Sequence, residues 1–329
     1  MTGHGRRVAW VGRLAAAAAV ALAAPAAAQQ PAITPPQLSR FIHALAHDSM
    51  RGRATPSPEL EQAAGFVESV FRRAGLAPAG DSGRYQQRFS VRGQTAPNVA
   101  GLLRGRDPGL LGQYVVVVAH LDHLGVSRPN GRDSILNGAD DNASGSAGVL
   151  ALAEAFGSLA QRPRRSILFL VVSGEELGLL GSRHFVAHPT VPFDSIVGLV
   201  NLDMIGRNRP DSVYLNGWNK SPISGLVRRL AARHPELGLG VGPDIEDRPR
   251  TPADSDHWPF QRRGVPYIFF YTGEHDDYHQ PTDHADRTDP DKASRVARLA
   301  FYTLWEMAEG PERPKWEAES RRLNVVTPR

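Results

Sequence analysis

The chain has 329 residues, with 38 Lys and Arg against 34 Asp and Glu and a formal net charge of +4. Three of those bases, Arg6, Arg7 and Arg13, lie in an opening stretch that holds no acid, so the remainder is close to neutral and no nucleic acid or other polyanionic partner is expected. Cysteine is absent, which excludes disulfides, thiol chemistry and a lipid-bearing cysteine.

In chain order, residues 1–28 read as a secretory signal peptide: the arginines, an alanine-rich apolar run to Ala24, then the small residues Ala26-Ala27-Ala28 as a cleavage site. The run is short and only weakly hydrophobic, and no later stretch spans a bilayer, so the mature protein is expected in the periplasm or outside the cell without stable membrane insertion. Residues 29–310 are expected to form one domain and residues 311–329 a charged, loosely ordered tail. The spacing of apolar residues predicts helices over 36–52 and 57–74, a turn-rich stretch over 75–83, and strands over 84–91 and 98–104. Residues 114–119, 166–172 and 196–202 are continuous apolar runs, as in strands buried on both faces. Helices are predicted after Gly145 and over 177–187, 223–233 and 296–308, with further strands over 212–215 and 267–271. Buried strands alternating with helices imply an α/β fold with a mainly parallel central sheet covered by helices on both faces.

In such a sheet, ligands bind beyond the carboxyl ends of the strands. Polar groups recur there: His120 and Asp122 after the first buried run, Glu175 and Glu176 after the second, Asp203 after the third. His120 offers a neutral imidazole to a metal, and Asp122, two positions on, points the same way along an extended segment and can accept the other ring N–H. Asp141 sits in a turn entering a helix, where a carboxylate can bridge two cations; Asp140 and Asn142 beside it also suit N-capping. Adjacent Glu175 and Glu176 cannot both face one metal, so one can ligate while the other serves as general acid and base; two acids in the first turn of a helix would also satisfy its dipole. Asp203 ends an otherwise apolar strand, an unfavourable place for a carboxylate without a compensating cation. His279, after an acidic loop, completes the set. Histidine with carboxylate favours zinc over magnesium, and also admits cobalt or manganese.

These five separated motifs, in this order, resemble peptidase family M28, the zinc-dependent aminopeptidases and related peptidases, over most of the chain from Arg51-Gly52-Arg53 to His279 and Asp283. The resemblance implies the α/β/α sandwich of zinc-dependent exopeptidases and two zinc ions per chain. It implies that His120 and Asp203 hold one zinc, Glu176 and His279 the other, and that Asp141 bridges them. Glu175 would be the catalytic base, Asp122 the partner of His120, and Tyr278 a group able to stabilise the oxyanion. Ser255-Asp256-His257 resembles the family's pattern near the substrate-side loop, and would equally suit a helix N-cap. The implied substrates are peptides with a free N-terminus. Only about 40 residues separate the opening helices from the first buried run, too few for an inserted domain. Residues 207–250, with Trp218 and a Gly/Pro-rich turn over 238–243, are expected to shape the specificity pocket. The alternatives are a single-zinc glutaminyl cyclase on a similar fold, a carboxypeptidase or dipeptidase, and a binding protein that has lost activity. The last should lack Glu175 or a ligand, and this chain retains them all.

Overall fold

The computed structural model describes residues 1–2, 31–130, 133–218, 221–243 and 255–316. The predicted signal peptide lies, from residue 3 on, outside the described residues, as does the tail beyond residue 316. From Pro31 onward the chain forms one compact unit. Among the described residues no helix is long and apolar enough to cross a membrane.

The strands are β1 (Ala77–Pro78), β2 (Gln86–Val91), β3 (Gln94–Leu103), β4 (Tyr114–His120), β5 (Gly125–Asn130), β6 (Asp133–Leu136), β7 (Ser166–Val172), β8 (Ile196–Leu202), β9 (Ser212–Asn216), β10 (Gly240–Pro243) and β11 (Tyr267–Tyr271). The helices are α1 (Pro35–Leu45), α2 (Pro58–Arg73), α3 (Gly145–Gly157), α4 (Leu180–Ala187), α5 (Ser224–Arg233), α6 (His257–Arg262) and α7 (Pro290–Glu309). The main sheet runs β1-β3-β7-β4-β8-β11-β9-β10, with β2 on β3, while β5 and β6 form a separate hairpin. Its centre, β7-β4-β8-β11, is parallel, and β1, β2 and β3 join antiparallel on one side. On the other, β9 lies antiparallel to β11.

The central strands are apolar throughout because both faces are covered. Along β4, Val115, Val117 and Ala119 enter the core under α1, α2, α3 and α7, whereas Val116 and Val118 enter a second core with Phe185 of α4 and Phe260 of α6. The period of two thus sorts one strand's side chains into two layers of helix packing.

Three predicted elements differ. The first helix starts at a capping box, Thr34 accepting from the Gln37 amide and Gln37 from the Thr34 amide, but stops at Leu45. A 3-10 segment follows over Asp48–Arg53, in which Arg51 and Gly52 take φ of 42° and 66°. A Cβ on Gly52 would lie 2.3 Å from the Leu136 carbonyl oxygen, so the chain there passes too close to β6 for a continuing helix. The Gly/Pro-rich stretch at 238–243 is a turn only at its start; Gly240–Pro243 pairs in parallel with β9, its glycines and proline tolerated because the strand is at the sheet edge. The part of the predicted specificity region from 244 to 250 lies outside the described residues. Within residues 311–316, Trp316 is buried against the domain and its indole N–H donates to the Gly264 carbonyl at 2.9 Å.

Candidate metal centre

Four adjacent parallel strands end at one place. His120 closes β4 and is paired with Val172, the last residue of β7; Val118 of β4 is level with Asn201 of β8, so Asp203 emerges beside His120. Glu175 and Glu176 follow β7 after a tight turn at Gly174 (φ 76°), and β11 leads into the loop carrying His279. Asp141 comes from the wide turn that precedes α3.

The side chains meet in two groups that share Asp141. On one side, His120 Nε2 lies 3.4 Å from Asp141 Oδ1 and 3.4 Å from Asp203 Oδ1. On the other, His279 Nε2 lies 3.1 Å from Asp141 Oδ2 and 3.3 Å from Glu176 Oε2. A fourth residue joins this second group: His123 Nδ1 is 2.8 Å from Glu176 Oε1 and 3.6 Å from Asp141 Oδ2. Each set of ligand atoms is compact enough to surround one ion.

Electrostatics explain why these groups call for cations. Burial pushes the Glu175 carboxyl well above its ordinary range, and also raises Asp203 and Asp122. Burial would also raise Asp141 and Glu176, but the neighbouring imidazoles outweigh it and hold both low. Burial alone would depress His120 and His279; the carboxylates outweigh it, raising His120 strongly and His279 to about 10. Without metal, the site therefore uses imidazolium charge to hold its carboxylates together. Glu176 Oε1, Asp203 Oδ1 and His279 Nε2 are buried with no hydrogen-bond partner among the described residues. Two divalent cations would engage these orphaned atoms and replace the imidazolium protons. The donors, imidazole nitrogen and carboxylate oxygen, fit zinc.

Surrounding groups hold the cluster in place. Asp283 accepts hydrogen bonds from the amides of Asp140 and Asp141, at 3.0 and 3.2 Å, fixing the turn that presents Asp141. The Asp141-Asn142 peptide is cis, and Asn142 Oδ1 accepts from the amides of Gly145 and Met204. Asp140 accepts from the Gly206 amide at 2.7 Å. Of the two residues suited to capping, Asn142 thus serves the start of α3, whereas the Asp140 side chain fastens a neighbouring loop. The Gly138 φ of 57° opens this turn, and a Cβ there would sit 2.3 Å from the Asp141 carbonyl oxygen. Asp277 ties down the His279 loop through Arg207, Thr282 and Arg287.

Two expectations change in detail. His120 Nδ1 contacts the backbone carbonyl of Asp122 at 3.1 Å, while the Asp122 carboxylate is 3.8 Å away. The carboxylate instead accepts from the Glu175 amide at 3.2 Å, so it links the β4 and β7 ends. Ser255 and Asp256 do not cap α6 with their side chains. Ser255 Oγ donates to Asp203 Oδ2 at 2.7 Å and Asp256 Oδ1 accepts from Ser182 at 2.6 Å, with burial raising the Asp256 carboxyl to about 7. Tyr278 stacks on the His279 ring, with 3.8 Å between centroids, and burial plus the surrounding carboxylates raise its phenol.

Two participants escape a reading of the sequence. Arg53 is fully buried and donates to four carbonyls, those of Leu121, Leu45, Asn137 and Gly138. Burial lowers its pKa to about 10, against the pull of Asp122, Asp141 and Asp283, so it stays charged at neutral pH. Nothing in Arg51-Gly52-Arg53 marks its second arginine as interior, since three of the four carbonyls it serves lie far along the chain. His123 did carry a signal: it is a second imidazole three positions after His120.

Known proteins place this architecture. The chain is 31% identical over 270 residues to leupeptin-inactivating enzyme 1 of Streptomyces exfoliatus, covering 80% of this chain and 56% of that protein. It is 27% identical over 239 residues to aminopeptidase YwaD of Bacillus subtilis, covering 68% and 47%. The chain thus spans about half the length of the curated relatives it matches. Among solved structures, it shares the fold of LapA of Legionella pneumophila (TM-score 0.67, 19% identity, 85% of this chain and 73% of that one). The zinc aminopeptidase BSAP of Bacillus subtilis is similarly close (0.66, 17%, 85% and 96%). So is the glutaminyl cyclase of Porphyromonas gingivalis (0.66, 19%, 84% and 99%). Residues 98–304 match the profile of Peptidase family M28, and the chain belongs to that family.

Proposed function

We propose that this M28 chain is an exported aminopeptidase that hydrolyses the N-terminal residue from peptides at a two-zinc centre. The observation that carries this reading is the pair of ligand groups sharing Asp141, with Glu175 next to the ligand Glu176 and half-buried at the same strand end. His120 and Asp203 would hold one zinc, Glu176 and His279 the other, and Asp141 both. Bound zinc would supply Lewis-acid polarisation of the scissile carbonyl and a water acidic enough to lose its proton near neutral pH.

The chain's own residues do the rest. Glu175, whose carboxyl burial raises well above its ordinary range, takes the proton of the attacking water and passes it to the leaving amine. Asp122 fixes Glu175 through its amide, and Ser255 fixes the Asp203 carboxylate. Tyr278, kept protonated, offers a hydroxyl for the developing oxyanion while its ring orients His279. The concentration of carboxylates gives a free α-amino group a favourable place to bind, which supports an aminopeptidase over a carboxypeptidase. The arginine-bearing, alanine-rich leader at residues 1–28 supports export.

Because a glutaminyl cyclase shares this fold, metal content and product together form the test. Purified protein should carry two zinc ions per chain, release free leucine from a leucyl peptide and leave an N-terminal glutaminyl peptide uncyclised. A single zinc with conversion of glutamine to pyroglutamate would overturn the reading.

A further inference from the structure

His123 is the unexplained member of the centre. It is 1% exposed, its Nδ1 faces the Glu176 and Asp141 carboxylates, and neither ring nitrogen makes a hydrogen bond of acceptable geometry among the described residues. The His123 and His279 rings meet edge to face, with 5.6 Å between centroids, so both imidazoles border the same small space from different directions. A buried imidazole without a partner costs stability, and one facing two carboxylates is suited to ligate.

We infer that His123 is a fourth protein ligand, through Nδ1, to the zinc held by Glu176, His279 and Asp141, so that the two metal positions are unequal. This rests on the two-metal reading above. One position is then enclosed by two imidazoles and two carboxylates, a complete tetrahedral set for zinc. The other, with His120, Asp203 and the shared Asp141, has three protein ligands and a place to spare for water or substrate. Two imidazoles against one also make the first position the more selective for zinc, and leave the second more open to manganese or cobalt.

The test loads metal-stripped protein with one equivalent of zinc and counts the imidazoles bound to it by X-ray absorption, beside a chelator-competition titration. The wild-type protein should show two imidazoles on the first zinc and two binding steps. His123→Asn should show one imidazole and a first step weakened by at least about tenfold, while His120→Asn should keep the first step and lose the second. One imidazole on the first zinc of the wild-type protein, or an unchanged titration in His123→Asn, would overturn the inference even if two zinc ions bind. Failure to bind zinc at all would overturn the two-metal reading itself. The wild-type spectrum decides the matter independently of how well either variant folds.

Discussion

Glu175 differs from its neighbour Glu176 in its surroundings rather than its chemistry. Imidazoles hold Glu176 ionised, as its proposed role of ligand requires, whereas burial raises Glu175, as its proposed role in proton transfer requires. Glu175→Gln should therefore keep its metal, measured by elemental analysis, and lose turnover by roughly 10²-fold or more. Unchanged turnover would remove Glu175 as the base. Arg53 is a structural counterpart: its removal strands four carbonyls that join α1, the β4 end and the turn before Asp141. Arg53→Met should lower stability in urea unfolding by about 3–5 kcal/mol, and a loss below about 1 kcal/mol would show that the surroundings relax around the vacated space. His120, Glu176 and Asp203 were legible in the sequence because each follows an apolar run. The Arg53 contacts were not, since its partners are backbone atoms up to 85 positions away.

At the scale of elements, α6 illustrates how position sets a titration. His257 lies in the second core, stacked on Tyr267 at 4.5 Å between centroids, and burial lowers its pKa to about 3. The unfolded value is near 6.5, so between pH 6.5 and 3 the unfolded chain binds the extra proton. This contribution to stability is therefore intact above about pH 6.5 and lost as pH falls toward 3, with a slope of up to about 1.4 kcal/mol per pH unit. In metal-free protein, His257→Phe should flatten that part of the acid unfolding profile; an identical pH dependence would mean that His257 is protonated in the folded state. The central strands were legible because burial on both faces requires unbroken apolar runs. The segment after α1 was not, because its positive φ at Arg51 and Gly52 goes with the close approach of Gly52 to β6.

Across the whole molecule, the parallel order β7-β4-β8-β11 gathers residues from four separate segments at one end of the sheet, and the turn before α3 brings Asp141 to them. No single motif specifies a site; the topology does, and only the order of the motifs is written in the sequence. His123 is not marked by the motifs because five ligands already complete the set without it. The proposed activity is zinc-dependent hydrolysis directed by a free α-amine. Its most direct test compares a leucyl peptide with its N-acetylated twin, using metal-stripped protein with and without added zinc. Cleavage of the free-amine peptide alone, and only when zinc is restored, is the predicted result. Equal cleavage of both peptides, or cleavage without zinc, would contradict it.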